Sequence, residues 1–191
     1  KDVVDVTGLV VAPGFIDLHA HGQTQSDMEI QARDGVTSAL DMEAGVYPVA
    51  KWYASREGKS PLNYGGTVSH RGTRFAVFHD GVEALHGATN PGPISALGPM
   101  PAGANQPATE EQIQAMERLV AEGLDQGALG VGFGINYSPG ASAEEITRLF
   151  RVAAARKIPV YVHTRAFGIG PIREAIATAR DPPTKPLLTE T

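Results

Sequence analysis

The chain has 191 residues, 42% of them hydrophobic, with 22 Gly and 14 Pro, which suits a loop-rich globular protein with a sizeable core and not a disordered one. Its 16 basic and 21 acidic residues leave a net charge of −5; without a Lys/Arg cluster, nucleic acid and anionic membrane are disfavoured as partners, and no apolar run approaches membrane-spanning length. Cysteine is absent, which excludes disulfides, and with no secretory leader in view a cytoplasmic location is expected.

Residues 1–11 alternate weakly and end in the strand-like Leu9-Val10-Val11 after a turn at Thr7-Gly8, so residues 1–12 are expected to be a strand remnant of a small β-domain. The run Gly14-Phe15-Ile16-Asp17-Leu18-His19-Ala20-His21 reads as a short buried strand opened by Pro13-Gly14. Histidines two apart leave a strand on one face, where they can converge on a divalent ion at roughly 2.0 to 2.1 Å. By itself that pattern more often marks two surface or loop histidines.

Residues 23–34 suit a helix closed at Gly35, and residues 36–43 read as a second strand. Residues 44–60 look helical, with Trp52 as a packing residue. A third strand is predicted over residues 74–79, placing Phe75, Val77 and His79 on one face. Residues 81–108 form a Gly-, Pro- and Asn-rich connection, and so long a loop is usually functional or disordered. Thr109 caps a helix whose Ile113, Met116, Leu119, Val120 and Leu124 fall at helical spacing, and Gly127 stops it.

Residues 128–134 are the fourth strand, with glycines allowing close backbone approach. Ser142 caps the next helix, residues 158–163 form a fifth strand ending in His163, and a helix over 171–180 is broken by Asp181-Pro182-Pro183. Strands alternating with helices argue for parallel βα units. The predicted fold is α/β: a partial (β/α)8 TIM barrel over residues 13–180, about its first five units, with 181–191 as an unstructured tail. A closed barrel needs eight strands and about 250 residues, so the sequence is expected to be a fragment of a larger one. An open five-stranded α/β sheet is the alternative.

The segment Val6 to His21, with Val11-Ala12-Pro13-Gly14-Phe15 leading into Asp17-x-His19-x-His21, resembles the barrel entry of the amidohydrolase superfamily. Within it the nearest likeness is the D-aminoacylase branch, the N-acyl-D-amino-acid deacylases. Gly35-Val36-Thr37-Ser38 is similar to that family's second strand. Gly127-Ala128-x-Gly130 through Tyr137-x-Pro139-Gly140 resembles the fourth-strand signature of the branch, and the Tyr161-Val162-His163-Thr164-Arg165 strand end also lines up.

The resemblance implies a metal centre. His19 and His21 would hold the first position and His163 the second, with one or two divalent ions, Zn2+ first among candidates. The superfamily's bridging carboxylated lysine is excluded, because the fourth strand contains none, and the cysteine some D-aminoacylases use after the second strand is absent as well. Glu43, one position from where that cysteine aligns, is the proposed bridge, against a solvated or capping glutamate. The general acid/base aspartate and a sixth-strand histidine are expected beyond residue 191, so this fragment alone is expected to be inert.

The implied reaction is hydrolysis of an N-acyl-D-amino acid to a carboxylate and a D-amino acid, with this small molecule as the partner. Tyr137 could bond a substrate carbonyl or oxyanion, or pack over the Pro-Gly turn. Arg165 could pair with a substrate carboxylate, or form a structural ion pair. His79 reads as a core or supporting residue, Asp17 as one that orients a ligand histidine, and His70 and His86 as loop residues without a role. Dihydroorotase-like or dipeptide hydrolysis, and a non-catalytic α/β binding domain, are the rival readings.

Overall fold

Six parallel strands hydrogen-bond in the order in which they occur along the chain: β1 (Phe15–Asp17), β2 (Val36–Val46), β3 (Asn63–Ser69), β4 (Val131–Gly134), β5 (Val160–His163) and β6 (Pro186–Leu188). They belong to a computed structural model that describes residues 3–21, 24–79, 102–166, 168–180 and 186–188. Helices fill the crossovers: α1 (Gln25–Arg33), α2 (Val49–Arg56), α3 (His70–Val77), α4 (Ala102–Asn105), α5 (Glu110–Asp125), α6 (Ala143–Ala155) and α7 (Ile169–Arg180).

A strand order that never doubles back is that of a barrel wall, whereas a doubly wound sheet reverses at a switch point. The sheet also curls. β2 and β5 are three strands apart, about 14 Å in a flat sheet, yet the carboxylate of Glu43 on β2 lies 3.4 Å from the His163 ring on β5. This curvature makes the sheet part of a (β/α) barrel and removes the open-sheet alternative.

The helices begin where their capping residues stand. Thr109 accepts from the Gln112 amide at 3.3 Å while the Gln112 side chain accepts from the Thr109 amide at 2.9 Å, so two otherwise unpaired amides of α5 are satisfied reciprocally. Ser142 caps α6 in one direction only, by accepting from the Glu145 amide. Their apolar stripes, including Met116, Val120, Leu149 and Phe150, close over Val131 and Phe133 of the sheet in one core, with Trp52 of α2 buried in it as a packing residue.

Several expectations are corrected. The third strand is Asn63–Ser69, not residues 74–79, which belong to α3 and its end. Gly65 and Gly66 weaken the strand pattern of residues 63–69, but any side chain at Gly66 would meet Val46 at 3.1 Å; the glycines let neighbouring strands approach. Ser69 then caps α3 by accepting from the Gly72 amide at 3.1 Å. His79 follows the helix at φ 58, exposed, and is not a core residue.

The strand expected at residues 9–11 is absent: they are exposed and, among the described residues, have no strand beside them to complete a ladder. β1 is short but not buried, with Phe15 and Ile16 largely exposed, because it is the edge of the sheet. The tail is not wholly unstructured, since residues 186–188 pair with β5; proline is tolerated as a strand's first residue. His86 and most of the 81–108 connection lie outside the described residues, and α4 occupies part of the remainder.

Gly132 shows how tightly the wall is drawn around the future site. A methyl group there would stand 2.6 Å from the Glu43 carbonyl and 2.7 Å from the Met42 carbonyl, both rigid backbone of β2. Gly132→Ala is therefore expected to cost roughly 1–3 kcal/mol through overpacking, measured by denaturant unfolding; a change within error would mean that β2 and β4 are not this close.

Candidate metal centre

β1 ends at Asp17, and the chain continues along β2 through a backbone bond from the Ala20 amide to the Leu40 carbonyl at 3.0 Å and a single bridge between His19 and Asp41. Asp17 accepts from the His19 amide at 2.9 Å. It thus fixes the backbone of the histidine rather than its ring. The two imidazoles stand edge to face with centroids 4.6 Å apart.

Both rings face Glu43, which the alternation of β2 turns inward and buries. His19 Nε2 lies 3.5 Å and His21 Nε2 3.2 Å from Glu43 Oε2, while His163 Nδ1 lies 3.4 Å from Glu43 Oε1. One carboxylate oxygen therefore looks at the opening pair and the other at the fifth-strand histidine. Ligand atoms of His19, His21 and Glu43 all lie within 4.8 Å of one another, close to the separation of about 4 Å available to groups each bound at about 2 Å to one ion.

The charges are unbalanced as they stand. Glu43 Oε1 is buried and makes no hydrogen bond among the described residues, with His163 Nδ1 3.4 Å away, and a buried carboxylate oxygen short of hydrogen bonds is costly. Asp41, also buried, lies 3.4 Å from His21 Nδ1. Asp41 first, and then Glu43, push the His21 pKa up to about 10, so these groups hold a positive charge strongly. Burial raises the pKa of Asp41 itself. A divalent cation fits this set: two imidazoles and a carboxylate are zinc-type donors, and the orphaned oxygen is one such an ion would satisfy.

Glycine on β4 makes room for Tyr137, with Glu43 close by. A side chain at Gly134 would begin 3.6 Å from Glu43 Oε1 and 3.1 Å from the Tyr137 ring. Tyr137 stands on a short 3-10 turn after β4, its ring 5.0 Å from that of His163. Arg165 turns away: its guanidinium pairs with Glu174 at 3.1 Å and donates to the Ala141 carbonyl at 3.2 Å.

Three groups near these strand ends were not anticipated. Asp41 was detectable, since Asp41 and Glu43 are two apart on an otherwise apolar strand and so share a face. His70 is fully buried in α3, against Glu145 at 2.6 Å. Arg71 lies beside it in the same helix, in a stretch where the sequence predicts a loop ahead of a strand at residues 74–79.

Imidazoles and carboxylates gathered at the C-terminal ends of sequentially ordered parallel strands form a candidate metal centre, placed where barrel hydrolases carry theirs. The chain belongs to the amidohydrolase family, whose pattern it matches over residues 10–180. It is 34% identical to a D-aminoacylase of Alcaligenes xylosoxydans xylosoxydans, over 86% of this chain and 36% of that protein. An N-acyl-D-glutamate deacylase of the same organism is 31% identical over 80% of this chain and 33% of its own length.

The chain thus spans about a third of these relatives. A solved N-acyl-D-glutamate deacylase from Bordetella bronchiseptica, in complex with zinc and a phosphonate mimic of the tetrahedral intermediate, shares the fold at TM-score 0.71 and 22% identity, over 91% of this chain and 39% of that one. A D-aminoacylase described as having a binuclear metal centre does so at TM-score 0.65 and 20% identity, covering 92% and 40%. Among the described residues no helix is long and apolar enough to cross a membrane.

Proposed function

We propose that this chain carries the metal-binding strands of a zinc-dependent hydrolase that cleaves N-acyl-D-amino acids into a carboxylate and a free D-amino acid. The observation that carries the reading is the placement of the Glu43 carboxylate between the His19–His21 pair and His163. The two N-acyl-D-amino-acid-type relatives support this substrate class over ring-opening or dipeptide hydrolysis. A cytoplasmic location belongs to the same proposal.

His19 and His21 would hold one ion, His163 a second, and Glu43 would reach both; when bound, such an ion supplies a Lewis acid that acidifies water and polarises a carbonyl. Asp41 holds His21 in place through Nδ1 and leaves Nε2 directed at the site, as an outer partner fixes a ligand imidazole. Tyr137 presents its phenol beside His163 and donates to the substrate carbonyl oxygen as negative charge develops there. Arg165 keeps β5 and α7 together through Glu174 and leaves substrate anions to another residue.

Turnover by the full-length protein of paired N-acetyl-D- and N-acetyl-L-amino acids tests the reaction: D-selective release of acetate is expected, and no D-selective hydrolysis overturns it. Elemental analysis of the purified protein tests the centre. His19→Ala is expected to remove the first ion and His163→Ala to weaken only the second, so the two variants should differ in stoichiometry; metal content unchanged in both would remove the site.

A further inference from the structure

Arg71 stands in the first turn of α3, two residues beyond the C-terminal end of β3, and so on the same face of the wall as His19, Glu43, Tyr137 and His163. Its guanidinium lies 5.8 Å from the centre of the Tyr137 ring and 5.1 Å from that of Phe75. The Tyr137 ring in turn lies 5.0 Å from that of His163. Arg71 is therefore the third group in a line that starts at a candidate metal ligand and passes through the residue assigned to the substrate carbonyl.

The neighbouring guanidiniums are spoken for. Arg74, three residues on, is locked to Glu145, and Arg165 to Glu174. Arg71 differs: its Nε is buried and has no acceptor among the described residues, although burial disfavours its charge and Glu43 is the carboxylate whose field reaches it. The Phe75 and Tyr137 rings stand beside the planar group and, as aromatic neighbours, take none of its hydrogen bonds through their faces. A guanidinium beside a reaction centre, its buried Nε without an acceptor among the described residues, matches a carboxylate, which accepts two parallel N–H bonds.

We propose that Arg71 is a specificity-determining residue that binds a carboxylate on the amino-acid half of the substrate. The assignment rests on the hydrolase reading above and adds the group that distinguishes an N-acyl amino acid from a neutral amide. The carboxylate can be the α-carboxylate, common to all such substrates, or that of an acidic side chain.

Three probes separate these sources in the full-length protein: N-acetyl-D-leucine, N-acetyl-D-leucinamide, which lacks the α-carboxylate, and N-acetyl-D-glutamate. Arg71→Met is expected to lower kcat/KM for N-acetyl-D-leucine on the order of 10- to 100-fold, the effect of losing hydrogen bonds to a charged group. The leucinamide, followed by turnover or as a competitive inhibitor, should change less than about twofold on the same principle, because it offers no anion to lose. Arg71→Lys should restore part of the loss as a point charge that cannot bond in two places.

A defect confined to N-acetyl-D-glutamate assigns Arg71 to the side-chain carboxylate. Equal losses on all three probes, or none, overturn the assignment while leaving the hydrolase reading intact. A wild-type protein inert towards every probe overturns the hydrolase reading, and Arg71 falls with it. Metal content and unfolding midpoint, measured for each variant, show whether the protein is still folded and loaded.

Discussion

Glu43→Gln is expected to weaken metal binding by more than roughly 100-fold, the upper end of what losing only an outer partner of a metal site costs, and to reduce hydrolysis in proportion. Glutamine matches glutamate in shape and keeps one oxygen, so packing against β4 survives. What disappears is the negative charge between two imidazoles on one side and a third on the other. In the metal-free protein the same change removes a buried charge whose Oε1 has no hydrogen-bond partner among the described residues. Stability there should fall, since removing one partner of a buried ion pair leaves His21, whose charge Asp41 and Glu43 favour, less well compensated. The loss of ion, read beside the loss of stability, separates a ligand from a structural glutamate, which would cost stability alone. Elemental analysis and thermal unfolding of stripped protein read both, and full metal content in the variant would remove Glu43 from the centre.

The elements with strong local signals were legible in the sequence. Thr109 and Ser142 start their helices where capping chemistry places them, and the apolar spacing of α5 and α6 matches the core they bury. The convergence of His19, His21 and His163 was legible only through a family likeness, because residues from β1 and β5 are brought together by sheet curvature, which has no local signature. β3 was missed for a related reason. Its glycines look like loop residues in sequence, and only the neighbours Val46 and Leu129, pressed against Gly66 and Gly65, show why side chains are excluded there. That error carried His79 into the barrel and placed Arg74 in an imagined strand, with His70 in a loop and Arg71 not singled out. At β1 the apolar pattern was real but burial did not follow, since the strand lies at an edge.

Glu145→Ala is expected to destabilise the chain by about 3–5 kcal/mol, the cost of leaving one partner of a buried ion pair alone, out of a total that for a domain is about 5–15 kcal/mol. Glu145, His70 and Arg74 are all fully buried. Glu145 receives His70 Nε2 at 2.6 Å on one oxygen and Arg74 on the other. Arg74 uses its remaining donors on the Gly103 carbonyl at 2.5 Å and the Gln106 carbonyl at 2.6 Å, so the cluster fastens α6 to α3 and to the α4 segment. Removing the carboxylate strands a guanidinium with no water to solvate it. Burial alone would raise the Glu145 pKa, but His70 and Arg74 together hold it below the ordinary glutamate value of 4.5. A carboxylate depressed on folding contributes its stability above its unfolded pKa and loses it as pH falls through the lower folded value. Wild-type stability should therefore be flat in this contribution above about pH 4.5 and decline below it, whereas Glu145→Ala should show a lower plateau and a shallower acid slope. Urea unfolding at a series of pH values measures both, and a loss under about 1 kcal/mol, the size of an exposed pair, would mean that water reaches Arg74 and that the helices at this end of the wall are held by their apolar faces alone.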